Sequence, residues 1–210
     1  RQNTLCGPFV GKVMASALAM GESNACMKRI VAAPTAGACG VLPAVLVNYQ
    51  KEKGTADEQI VRALYTAAGI GQVVAARAYI AGASGGCQAE IGTASAMAAG
   101  ALTALGGGTP SQITHAAAMA LKNLLGLVCD PVGGLVEVPC VKRNVIGSVN
   151  ALSAADMALA GIISRIPPDQ VIDAMREVGD QMHPSLRETG QGGLANTPAA
   201  REWCAAQEEE

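Results

Sequence analysis

The sequence predicts an all-α fold, a compact bundle of about eight Ala- and Gly-rich helices with cysteine-bearing loops at helix ends. Three observations predict it. Half of the 210 residues are apolar but only 2% are aromatic, so Ala, Val, Leu, Ile and Met must fill the core. The 25 glycines and abundant alanines let helix backbones approach closely, whereas strands would call for more β-branched and aromatic side chains. Capping signals recur at intervals that suit helices joined by short loops. A charged fraction of 15% is too low for a disordered chain, and no linker divides the length, so residues 1–210 read as one domain.

Residues 8–20 read as the first helix, interrupted near 21–24. Residues 30–42 carry turn formers every few positions and read as a loop feeding the next helix. That helix covers 41–53 and stops at Gly54. Thr55-Ala56-Asp57-Glu58 reads as a capping box opening a helix to about residue 80. Residues 81–86 form a small-residue loop. Residues 88–105 read as a core helix ended by Gly106-Gly107-Gly108. Thr109-Pro110-Ser111-Gln112 is a second capping box with Pro at the first helical position, and its helix runs to Gly126. Residues 127–139 read as a loop, and Cys140 opens a long helix to about residue 164. Pro167-Pro168 starts another that ends near Gly179, and a short helix over 197–207 closes the chain.

Composition excludes several classes of function. The net charge is −2 and the pI about 5.7, so there is no basic field for nucleic acid and few rings to stack on bases. The mean hydropathy of +0.28 raises the membrane question. The least charged window, 91–109, is interrupted by Gly92, Thr93, Ser95, Gly100, Thr103 and 106–108, which makes it a poor membrane span. Arg1 in place of an initiator Met reads as a fragment, N-terminally truncated, or a processed product. Seven cysteines without secretory features point to a reducing, cytoplasmic compartment. There is no His-Glu-x-x-His, no Walker loop and no Gly-x-Ser-x-Gly elbow. The Gly-rich stretches do not follow strands, so a dinucleotide fold is excluded. A pyridoxal site is excluded because no phosphate cup in an α/β setting is visible.

The cysteines carry the chemistry. Cys87 follows Ser84-Gly85-Gly86 at a helix start and Cys140 follows Pro139 at another, where free amides and the positive helix end favour a thiolate. Cys129 precedes Asp130-Pro131 just beyond a helix end. Three thiolates gathered by loops can hold an iron–sulfur cluster, although spacings of 42 and 11 residues match no simple ferredoxin pattern. The competing reading is an inert buried thiol, which is the expectation for Cys6, Cys26 and Cys39.

Gly85-Gly86-Cys87-Gln88-Ala89-Glu90-Ile91-Gly92 and the run from Leu127-Val128-Cys129-Asp130-Pro131 to Val138-Pro139-Cys140 resemble the iron–sulfur L-serine dehydratase family. Ala33-Pro34-Thr35-Ala36-Gly37 and Gly192-Gly193-Leu194-Ala195-Asn196-Thr197-Pro198 fit the same family, in the same order along nearly the whole chain. The resemblance implies the alpha chain or catalytic domain of an enzyme that converts L-serine to pyruvate and ammonia. It implies a [4Fe-4S] cluster held by residues matching Cys87, Cys129 and Cys140, with an open iron acting as Lewis acid. It also implies a beta chain or beta domain of different fold as partner. Some family members carry a cysteine near the C-terminus proposed to fold back onto that iron, and Cys204 is the candidate here.

Such a reaction also needs a base and groups that hold the substrate, and spacing along the chain offers candidates. His115, Met119 and Lys122 share one helical face, and either His115 or Lys122 is a candidate base. Glu90, one turn after Cys87, is the third candidate. Thr35, Ala36 and Gly37 read as a substrate loop for a carboxylate, and Ser84 and Gln88 as groups orienting substrate or cluster. The bland alternatives are a core histidine, a surface lysine, a loop-bonding glutamate and a plain turn. Competing functions are a cluster-dependent cysteine desulfidase-type lyase, a non-catalytic helical partner subunit and an electron carrier. The Ala/Gly-rich helices suit a homodimer.

Overall fold

The computed structural model describes residues 4–208. Its α-helices are α1 (Gly7–Ala25), α2 (Val41–Lys53), α3 (Asp57–Arg77), α4 (Gly82–Gly85), α5 (Thr93–Leu105), α6 (Pro110–Lys122), α7 (Cys140–Leu159), α8 (Pro168–Gln181) and α9 (Pro198–Glu208). Among the described residues the extended pairing is a single parallel bridge between Cys129 and Arg187, so the fold is all-α, as predicted.

Helix α5 is the axis of the molecule. Of its 13 residues, 11 are buried, and α2, α3, α6 and α7 pack around it. A helix without a polar face can be stable only when it is enclosed on all sides. Two of its hydroxyls are matched internally, Ser95 Oγ donating to the Gly147 carbonyl at 2.8 Å and Thr103 Oγ1 to the Ala99 carbonyl at 2.8 Å, while Thr93 Oγ1 is buried without a partner. The low-charge window flagged by the sequence is therefore a protein core, and no helix among the described residues is long and apolar enough to cross a membrane. Small side chains set the spacing. A Cβ on Gly147 of α7 would stand 2.9 Å from Ile91 Cγ2, so the glycine is what lets α7 close on the segment leading into α5.

Several boundaries differ from those predicted. Helix α1 continues through Gly21 because that glycine packs against Val141, whose Cα lies 3.1 Å from where a Cβ would be; tertiary contact outweighs weak local propensity. Helix α3 begins one residue late, with Ala56 as its cap and the Ala56 amide donating to Gln59 Oε1 at 3.3 Å. The box at α6 forms as read: Gln112 N donates to Thr109 Oγ1 at 3.3 Å and Thr109 N to Gln112 Oε1 at 2.9 Å. Residues 81–86 hold the short α4 rather than only loop. The predicted helix over 88–105 opens with a π-helical turn, Gln88–Gly92, before α5. Helix α6 stops at Lys122 and continues as turns, and α7 stops at Leu159, short of residue 164, ahead of Gly161 with its φ of +86°.

Candidate active site

Three segments far apart in sequence deliver the three thiols. Cys87 sits between α4 and the π turn, Cys129 in the stretch after α6, and Cys140 at the first position of α7; their exposures are 1%, 2% and 7%. A π turn inserts one residue per turn and re-aims the backbone, a device concentrated at functional sites. It is anchored by Gln88, whose backbone N donates to the Leu127 carbonyl at 2.9 Å. The Gln88 side chain donates to the Met175 carbonyl at 3.0 Å and accepts from Gly126 N at 2.9 Å. Cys129 is fixed on both sides by residues 186–188: its N donates to the Leu186 carbonyl at 2.8 Å, and Glu188 N donates to its carbonyl at 2.7 Å.

Asn144, one turn into α7, ties Cys140 to the loop before α2. Its Nδ2 donates to the carbonyls of Cys140 at 3.0 Å and Gly37 at 2.8 Å, and its Oδ1 accepts from Gly40 N at 2.9 Å. Arg143 joins α7 to the Cys129 segment. It donates to the Val128 carbonyl at 2.7 Å and to Asp130 Oδ1 at 2.8 Å, while Asp130 Oδ2 accepts from Leu194 N at 2.8 Å. This buried ion pair thus links α7, the Cys129 segment and the 193–196 turn.

The thiols face one another. Cys87 is drawn down to about 3, because Cys129 and Cys140 both offer it their S–H groups; burial opposes this and the Arg143 cation reinforces it. The two donor thiols are correspondingly pushed up, first by holding their protons toward Cys87 and then by burial. Burial alone would weaken the charge on Arg143, but the Cys87 thiolate and Asp130 outweigh it and raise its proton affinity.

Glu90 shares this environment. Its carboxyl is pushed up to about 7, first by burial and then by the negative charges of Cys87 and Glu188; the Gly82 amide and the Thr35 hydroxyl favour its ionised form. The glycine at 37 makes room for it, since a Cβ there would stand 2.7 Å from Glu90 Oε2. Thr35 Oγ1 is buried beside that carboxyl without a well-formed hydrogen bond.

Among the described residues, no three His, Cys, Asp or Glu side chains surround a single point as the ligands of one metal ion do. The donor set is instead three buried sulfurs, one of them a stabilised thiolate, beside a half-buried guanidinium that offsets negative charge. Soft thiolates of this kind suit a sulfide-bridged iron cluster rather than a lone hard cation, so the residues present fit that group.

The structure brings together Cys87, Cys129, Cys140, Glu90, Thr35 and Gly37. Ala36 is exposed on the 3₁₀ turn Ala36–Ala38, and Ser84 is exposed on α4. Gln88 is fully buried with both ends of its amide bonded to backbone; a role in touching substrate gives way to one in anchoring the π turn. Lys122 Nζ meets Ser164 Oγ at 3.3 Å rather than a thiol. His115 lies six residues before Leu121, the α6 residue that packs against Gly92, about 9 Å further along the helix. Its Nδ1 is buried without a partner. Cys204 is not among the facing thiols; α9 lays it on the cysteine-bearing loop, 3.3 Å from where a Cβ of Gly133 would be. Arg143, Asp130, Asn144 and Glu188 escaped the sequence reading. The available signal was polarity out of place: two polar residues just inside α7, and an aspartate directly after Cys129.

Residues 1–195 match the family described as serine dehydratase alpha chain. The chain is 57% identical over 199 residues to a probable L-serine dehydratase alpha chain of Bacillus subtilis, covering 95% of this chain and 66% of the relative. It is 58% identical over 183 residues to a probable L-serine dehydratase alpha chain of Latilactobacillus sakei, covering 87% and 88%. It is 48% identical over 181 residues to the L-serine dehydratase TdcG of Escherichia coli, covering 85% of this chain and 40% of that protein. The chain thus spans about two thirds of the Bacillus relative and less than half of the Escherichia one. With its thiol-bearing segments inside the matched region, the chain belongs to the serine dehydratase alpha chain family.

Proposed function

We propose that this chain carries the catalytic centre of an L-serine dehydratase of the cytoplasm, converting L-serine to pyruvate and ammonia together with a beta chain or beta domain. The observation that carries the reading is the meeting of three buried cysteines from distant segments, Cys87 as thiolate with the thiols of Cys129 and Cys140 against it and the Glu90 carboxyl beside them. Cys87, Cys129 and Cys140 would hold a [4Fe-4S] cluster, which when bound supplies a Lewis-acidic iron that eases departure of the serine hydroxyl.

The remaining work falls to the chain's own groups. The hydroxyl of Thr35 and the amides of Ala36 and Gly37 receive the substrate carboxylate, holding the Cα–H bond toward Glu90. Glu90 takes the Cα proton on a carboxylate oxygen. A carboxyl near neutrality is matched to this task, being ionised in a useful fraction of molecules yet more basic than an exposed glutamate. The electron pair of the broken C–H bond forms the Cα–Cβ double bond as hydroxide leaves, and proton and hydroxide together account for the water lost. The 2-aminoacrylate so formed tautomerises to an imine, and water hydrolyses it to pyruvate and ammonia with no further demand on the chain. Arg143, Asp130 and Asn144 position the cysteine-bearing segments and do not touch substrate.

In a pyruvate assay on the anaerobically reconstituted enzyme, Glu90→Gln is expected to lower kcat by about 100-fold or more with iron content unchanged. Near-normal turnover in that variant would remove Glu90 from the role of base.

A further inference from the structure

A second carboxylate stands at the same site. Glu188 follows Arg187, the residue bridged to Cys129, and its φ of +63° is in the left-handed region that a glutamate seldom occupies. Its amide bond to the Cys129 carbonyl, 2.7 Å, helps hold it there. Such a conformation persists where the surroundings enforce it, and it often marks a working position. The consequence is directional. Glu188 Oε2 lies 3.4 Å from the Cβ that Gly82 lacks, and Cys129 Sγ lies 2.9 Å from the same point. The Gly82 amide in turn faces the Glu90 carboxyl. Gly82 is therefore flanked by both carboxyl groups and by one of the clustered thiols.

The two acids differ in surroundings. Glu90 is half-buried, while Glu188 is exposed and reaches in from the 187–190 turn. Among the described residues the ion pairs join Lys12 to Glu52, Arg77 to Asp169 and Asp173, and Arg143 to Asp130, and none engages Glu188. An anionic group beside the reacting centre with no cationic partner is suited to a ligand that brings its own positive charge. A free amino acid does so: with its carboxylate on the Thr35–Gly37 turn and its Cα–H toward Glu90, its ammonium needs an acceptor at the same centre. We infer that Glu188 receives the substrate's α-ammonium group and makes the site selective for amino acids over acids that lack the amine. This rests on the dehydratase reading above.

The test uses the iron-reconstituted enzyme as wild type, Glu188→Gln and Glu188→Asp. Each is titrated calorimetrically with L-alanine and with propanoate, unreactive acids that differ by the ammonium group. The wild type prefers L-alanine, and in Glu188→Gln that preference falls by about tenfold or more. Propanoate affinity stays within about twofold, and the KM for L-serine rises while kcat changes by less than about threefold. Glu188→Asp, which keeps the charge, recovers part of the preference, an outcome that a merely structural role would not give. No amine preference in the wild type, an unchanged preference in Glu188→Gln, or an equal loss for both acids overturns the assignment. Absence of pyruvate from the wild type defeats the dehydratase reading instead, and the calorimetric comparison still decides what Glu188 does.

Discussion

A carboxyl group placed where Glu90 is holds its proton more tightly in the folded chain than in the unfolded one, because burial and two nearby negative charges penalise the ion. A folded-state value raised from 4.5 to about 7 means that folding is unpenalised by this group below the unfolded value. Stability is then lost as pH rises through the window between the two. For the metal-free chain, Glu90→Gln should therefore gain on the wild type by about 2 kcal/mol between pH 5 and pH 8. Urea denaturation at the two pH values measures this, and a constant difference would show that the carboxyl is not penalised. The Arg143–Asp130 pair predicts the opposite kind of effect. Asp130 is nearly inaccessible and bonded to both Arg143 and Leu194 N, so Asp130→Ala leaves a half-buried guanidinium without its carboxylate and the Leu194 amide without an acceptor. A loss of about 3 kcal/mol in the same measurement is expected. Neither Arg143 nor Asp130 was legible as a site residue in the sequence. Their partners lie on segments more than ten residues away, and only folding brings a guanidinium to a thiolate.

At the scale of elements, the opening of α6 and the end of α2 were read correctly from capping chemistry and a glycine stop, whereas the box read at 55–58 sits one residue early and α6 ends before Gly126. Thr109-Pro110 with Gln112 opens α6, and Gly54, with its φ of +64°, ends α2. Thr109→Ala should cost about 1 kcal/mol, read as a lowered midpoint in denaturant. The misread stretches are those where packing rather than local preference decides. The π turn over Gln88–Gly92 has ordinary helical residue types, and it bulges because Gln88 is held by Met175, Gly126 and Leu127. Periodicity carries no trace of such tertiary bonds. Helix α7 offers the sharpest test of how elements position the thiols. A Cβ at Gly147 collides with Ile91, so Gly147→Val should push α7, and with it Cys140, away from the Cys87 segment. The expected cost is about 1–3 kcal/mol of stability, with a matching drop in iron retained after reconstitution. Full iron retention in that variant would separate the α7 packing from the metal site.

For the molecule as a whole, the alanine- and glycine-rich composition explains both the fold and the site. Small side chains allow α5 to be enclosed by four helices, and this close packing brings the ends of α4, α6 and α7 to one place. The all-α class was legible because composition is a local property of the chain, while the proposal of Cys87, Cys129 and Cys140 as cluster ligands came from the family resemblance of the segments that carry them. The carboxyl pair at Gly82 and the position of α9 against the Cys129–Cys140 loop were not, since both depend on how residues 182–208 wrap back over the bundle. The central claim is that the three facing thiols hold a cluster, and counting iron and sulfide per chain after anaerobic reconstitution tests it most directly. The account predicts about four of each in the wild type and in Cys39→Ala, falling below about one in Cys87→Ala, Cys129→Ala and Cys140→Ala. Full iron in any of those three variants, or none in the wild type, would contradict it.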